Sequence, residues 1–116
     1  MAERFENDRA HMSLVTVEPV VWAGEDRVAL IGEIDTSNAR EVEAALADRT
    51  SSGGPLTLDL VGLSYLDTQG VAMILRLARR AGLNGGTISL ANPRGLVRRV
   101  LEIMCVAEAV RITEDV

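Results

Sequence analysis

The sequence predicts an α/β domain: a mixed, mostly parallel β-sheet with an N-terminal hairpin and helices packed against it. Three observations carry that reading. Runs rich in β-branched residues alternate with stripes at helical spacing. The connections between them are short and built from Gly, Pro, Ser and Asn. The chain has 116 residues, 47% of them hydrophobic, which is enough for one ordinary core. Strand and helix in alternation give parallel neighbours joined by right-handed crossovers.

Residues 1–12 carry Glu3, Arg4, Glu6, Asp8 and Arg9 with no apolar run. They read as a flexible N-terminal arm before a single domain over residues 13–116, and not as a secretion signal. Two apolar runs follow, at 14–22 and 27–31, separated by Ala23-Gly24-Glu25-Asp26, a link short enough for a hairpin. Pro19 removes one ladder donor, so its strand should lie at an edge or carry a break there. Asp35, Thr36, Ser37 and Asn38 are four successive helix N-cap candidates, and Ala39, Val42, Ala45 and Leu46 then share one helical face. Leu56 to Leu60 alternate as a third strand after a Ser/Gly/Pro loop. A short connector leads to Asp67-Thr68-Gln69-Gly70, where a second helix starts with the stripe Val71, Ile74, Leu75 and Ala78. Gly82 and Gly85-Gly86 close it, and Thr87 to Ala91 form a fourth strand. A third helix opens at Asn92-Pro93 with Val97, Val100, Leu101 and Met104 on one face, and Val110, Arg111 and Ile112 make a short last strand.

Composition excludes several functions. Only Phe5, Trp22 and Tyr65 are aromatic and the net charge is −5, a poor basis for stacking bases over a basic groove. No direct nucleic-acid partner is expected. One cysteine permits no internal disulfide and suits a reducing, cytoplasmic setting. No segment approaches the roughly 20 apolar residues that cross a bilayer, so no membrane partner is expected either. Lysine is absent, and no glycine-rich phosphate loop is present. The single histidine, His11, falls in the arm, leaving a Ser-His-Asp triad without an ordered base. Neither a metal site nor a cofactor is expected, and the chain reads as a non-enzyme. Cys105 is weighed two ways: as a small core hydrophobe, the ordinary state of a lone cysteine, or as a redox-responsive thiol.

The informative stretch is Asp67-Thr68-Gln69-Gly70, at the start of an amphipathic helix. The plain reading is a cap, with Asp67 or Thr68 accepting a bond from an orphan backbone amide and Gly70 letting the first turn pack closely. The sharper reading concerns the Thr68 hydroxyl. Exposed amides and a partial positive charge at a helix start tolerate an anion, so a phosphoryl group there would cost the fold little. It would add about −1.5 to −2 charge units, which an acidic surface on a docking partner would reject.

These landmarks stand in order: Gly32-Glu33-Ile34-Asp35; Leu58-Asp59-Leu60; Leu63-Ser64-Tyr65-Leu66-Asp67-Thr68-Gln69-Gly70; Gly85-Gly86-Thr87-Ile88-Ser89-Leu90; Asn92-Pro93; Val97-Arg98-Arg99-Val100-Leu101-Glu102. With that spacing, residues 28–112 resemble the STAS domain of the anti-sigma factor antagonist family. The resemblance implies a STAS-type fold and a protein that binds an anti-sigma factor of the histidine-kinase-like ATPase class, freeing a sigma factor for transcription. It implies that this partner, a serine/threonine kinase, phosphorylates Thr68 and is then released, with a separate phosphatase resetting the switch. Asp67 would orient the acceptor, Gly70 would keep the helix start open to the partner, and Gln69, Glu33, Asp35 and Thr36 would contribute to docking. A monomer is expected.

The chain departs from the family pattern at three points. The acceptor is commonly serine, here Thr68. Gln69 is large where Ser, Thr or Ala is frequent. Met104-Cys105-Val106 replaces a Thr-Gly-Leu-like turn, removing a glycine from an expected left-handed cap. STAS domains also serve stressosomes, anion-transporter tails and ABC-type lipid transporters. The alternative reading is thus a lipid-transporter subunit, in which Thr68 contacts an ATPase with no phosphate involved.

Overall fold

A computed structural model describes residues 3–6, 14–22 and 25–114. Seven strands form one sheet: β1 (Glu3–Glu6), β2 (Leu14–Trp22), β3 (Glu25–Ile34), β4 (Pro55–Asp59), β5 (Leu63–Leu66), β6 (Thr87–Ala91) and β7 (Arg111–Thr113). Three α-helices alternate with them: α1 (Ala39–Thr50), α2 (Thr68–Leu83) and α3 (Gly95–Ile103). A single 3-10 turn, Val106–Glu108, precedes β7. The order across the sheet is β1-β2-β3-β4-β6-β7, and β5 pairs with β3 beyond the end of the β3–β4 ladder. The pairs β1–β2 and β2–β3 are antiparallel and the other four are parallel, so the sheet is mixed and mostly parallel as expected.

Two strands escape sequence reading. Glu3–Glu6, within the segment read as an arm, pairs with the first part of β2. Its three charged residues around Phe5 give no apolar signal, and the strand exists because β2 offers a free edge. The remainder of that expected arm, His11 included, lies outside the described residues. The other is β5, four residues read as a connector, which forms by extending β3. Pro19 sits opposite Val28 on a part of β2 that β1 does not reach, so its missing donor faces no second described strand.

The core lies between the sheet and its helices. Val15, Val17, Val28, Leu30, Leu56, Leu58 and Leu90 from the strands meet Val42 and Leu46 of α1 and Met73, Ile74 and Leu77 of α2. The buried stripe of α2 is turned from the expected phase: Met73 and Leu77 are fully buried, Leu75 is exposed and Ala78 half-buried. This helix packs both on the sheet and beside α1, so it needs a wider apolar face than one stripe supplies. On α3, Val97 and Leu101 are buried, whereas Met104 ends the helix in solvent.

Cys105 is exposed, which removes the core-hydrophobe reading. It stands just past α3 in the left-handed region at φ 55° and ψ 37°. The left-handed cap therefore persists without its glycine, and Cys105 carries the strain. One charged side chain lies deep: Arg27 is 2% exposed and held between Glu25 and Asp59 at 3.0 and 3.1 Å. Glu25 also accepts from the Thr57 hydroxyl, so the buried guanidinium is compensated on both sides.

Candidate functional site

Two loops meet at one end of the sheet because β3 and β5 run parallel and stop in register, Ile34 beside Leu66. Asp35 and Asp67 follow these residues directly and so emerge as neighbours. The backbone amide of Asp67 donates to the Ile34 carbonyl at 3.3 Å, closing the seam.

The first loop braces itself. Asn38 is buried; its side-chain oxygen accepts from the Asp35 amide at 3.0 Å and its side-chain nitrogen donates to the Glu33 carbonyl at 2.9 Å. Of the four N-cap candidates, Asn38 holds the cap position of α1, but its side chain serves the loop and makes no capping bond to the helix. The Asp35 carboxylate accepts from the amide and hydroxyl of Ser37. Thr36 is left at the crest, exposed.

The second loop is tied to the first by a single carboxylate. Asp67 caps α2, its Oδ1 accepting from the Gly70 amide at 3.0 Å. Its Oδ2 accepts from the Thr36 amide at 3.1 Å and the Thr36 hydroxyl at 3.3 Å. Of the two cap candidates, the structure selects Asp67. No hydrogen bond among the described residues joins it to the Thr68 hydroxyl, so Asp67 places that hydroxyl through the helix backbone.

Thr68 and Gln69 occupy the first two positions of α2 and both are exposed, with no acidic residue in the first turn. Gly70 is buried and points inward. A Cβ added there would lie 2.3 Å from Leu66 Cδ1 and 3.1 Å from Ile34 Cγ2. Its absent side chain lets α2 seat on β3 and β5, the close packing of the first turn that the plain reading assigns to Gly70. Glu33 is exposed and Asp35 half-buried, so the surface beside Thr68 is acidic. Thus Glu33, Asp35, Thr36, Asp67, Thr68 and Gln69 lie together at this end of the sheet, while Cys105 stands just past α3.

Sequence reasoning missed Asn38 as the brace of the first loop and Tyr65 as part of the surface. Tyr65 pairs with Glu33 in register and is 39% exposed. Only the β3–β5 pairing places it there. Among the described residues, no group of three or more His, Cys, Asp or Glu could hold a metal ion, and no helix is long and apolar enough to cross a membrane.

A mixed, mostly parallel sheet whose β3–β5 seam feeds a capped helix start with an exposed hydroxyl is the architecture of a STAS-type scaffold. The family model described as "Mlab, STAS domain" matches residues 20–113, and the chain belongs to the STAS domain family. It is 29% identical over 93 residues to the anti-sigma F factor antagonist of Lysinibacillus sphaericus, covering 78% of this chain and 74% of that one. Its fold is similar to the crystal structure of an anti-sigma factor antagonist from Mycobacterium paratuberculosis (TM-score 0.74, 21% identity, 85% of each chain). It is also similar to the Bacillus cell fate determinant SpoIIAA in its phosphorylated form (TM-score 0.62, 19% identity, 88% of this chain and 91% of that one).

Proposed function

We propose that this chain is an anti-sigma factor antagonist that binds an anti-sigma kinase when unmodified and is released when Thr68 is phosphorylated. One observation carries the proposal: Thr68 is exposed at the first position of α2, beside a loop that Asp67 holds in place. The likeness to an anti-sigma F factor antagonist supports the choice of partner, and a structural neighbour whose phosphorylated form has been solved supports the modification.

In this reading the acidic surface of Glu33 and Asp35, with Thr36 and Gln69 at its rim, docks on the kinase. The Thr68 oxygen attacks the terminal phosphorus of ATP bound to that kinase, ADP leaves, and the hydroxyl proton passes to a base on the kinase. The chain is the substrate of this reaction and not its catalyst. The new phosphoryl group adds about −1.5 to −2 charge units within the docked surface, and an acidic partner surface facing Thr68 rejects it without refolding. A phosphatase restores the hydroxyl. The proposal includes a monomeric protein acting in the cytoplasm.

The test is affinity capture from the source cell with the wild-type chain, Thr68→Ala and Thr68→Glu, followed by ATP addition and a search for phosphothreonine. Thr68→Ala should hold a sigma-regulating kinase constitutively and Thr68→Glu should hold it poorly. Equal retention by both removes the switch. Retention of an ABC-type ATPase with no phosphothreonine supports the transporter-subunit reading instead.

A further inference from the structure

A second candidate surface lies between α1 and α2. Glu43 of α1 is largely buried and takes Arg76 of α2 in a fork: Arg76 Nε donates at 3.0 and 3.1 Å to its two oxygens and Nη2 donates at 2.7 Å. That carboxylate is thereby fully engaged. Arg40, three residues earlier on α1, and Arg80, four residues later on α2, line the same groove, and neither forms an ion pair with any described residue. The guanidiniums of Arg76, Arg80 and Arg40 all hold the Glu43 carboxyl below its ordinary value, Arg76 most strongly. Three cations around one anion leave an excess of two positive charges, on a chain whose net charge is −5.

Between these two arginines, which are without an ion pair among the described residues, the groove is open and lined by Ala44 and Ala47, with a volume of about 420 Å³. Small side chains there let a peptide backbone approach closely, and the walls come from two different helices. We infer that this groove docks an acidic segment of a protein partner, with carboxylates engaging Arg40 and Arg80 over Ala44 and Ala47. Charge complementarity selects that occupant. A long polyanion such as a nucleic acid would meet the negative field of the whole molecule beyond the screening length of roughly 10 Å, whereas a short acidic segment feels mainly the local cations. A single phosphate could satisfy one guanidinium but would leave Ala44 and Ala47 uncovered. This inference does not depend on phosphorylation of Thr68.

The experiment titrates the isotope-labelled chain with a glutamate–alanine decapeptide at low salt and follows backbone amide shifts. Shifts should cluster on residues 40–47 and 76–80, and affinity should fall steeply as salt rises. Arg40→Glu with Arg80→Glu should weaken binding at least tenfold, Arg40→Ala with Arg80→Ala should weaken it less and flatten the salt dependence, and Arg99→Glu on α3 should stay within twofold. Both arginines are exposed, so unchanged thermal midpoints are expected alongside. Shifts centred elsewhere, or a charge-reversed double variant that binds within twofold of wild type, would overturn the inference. So would competition by inorganic phosphate or a short oligonucleotide as strong as that of the peptide itself.

Discussion

Asp67 and Thr36 are 31 residues apart in sequence, yet one carboxylate oxygen of Asp67 accepts from both the amide and the hydroxyl of Thr36, at 3.1 and 3.3 Å. The other oxygen caps α2 at the Gly70 amide. Helix start and neighbouring loop are therefore positioned by the same group, and the exposed Thr68 hydroxyl inherits its place from it.

Replacing that carboxylate should be felt in stability as well as in docking. Asp67→Ala removes a cap, worth about 1 kcal/mol, and frees the Thr36 loop. A loss of about 1–2 kcal/mol in urea denaturation is expected, with Asp67→Asn recovering part of it. Unchanged stability in the alanine variant would show that the cap contributes little.

Gly70→Ala tests close packing against helix propensity. Alanine is the better helix former by roughly 1 kcal/mol. Here its Cβ would strike Leu66 Cδ1 at 2.3 Å, inside a region with Leu66 and Ile34 essentially buried. Overpacking costs about 1–3 kcal/mol, so the variant should be net destabilised by chemical denaturation. A gain in stability would mean that Leu66 moves aside freely.

The Glu43–Arg76 pair makes a pH-dependent contribution. Arg76 holds the Glu43 carboxyl below its ordinary value, so the folded state binds a proton there less readily than the unfolded state. The stabilisation is present above the ordinary carboxylate range and fades as acid titrates the folded group, roughly from pH 5 downward. Glu43→Gln should therefore cost less than about 1 kcal/mol at pH 7 and flatten the stability profile between about pH 3 and 5. Denaturation at a series of pH values reads both.

Cys105 offers a stabilising change. A side chain in the left-handed region costs about 1–2 kcal/mol, and glycine avoids that while adding unfolded-state freedom worth somewhat less. Cys105→Gly should raise stability by about 0.5–1 kcal/mol in thermal unfolding. A loss would show that the Cys105 thiol makes a contact worth more than the strain.

Local chemistry made much of this protein legible from its residues alone. The β-branched runs, the helical stripes of Val42, Leu46, Val97 and Leu101, and the cap at Asp67 depend on neighbours within a few positions, so the α/β class and the start of α2 could be read directly. What needed the folded chain was everything set by partners distant in sequence. Strand β1 has Phe5 as its one apolar residue and β5 is only four residues long, so neither declares itself, and they exist because β2 and β3 present unpaired edges to them. The inward role of Gly70, the bond from Asp67 to Thr36, the buried Arg27 and the arginine groove beside Glu43 all join segments separated by tens of residues. Periodicity reports which face of an element is apolar; only tertiary packing decides which two faces, and which two side chains, come together.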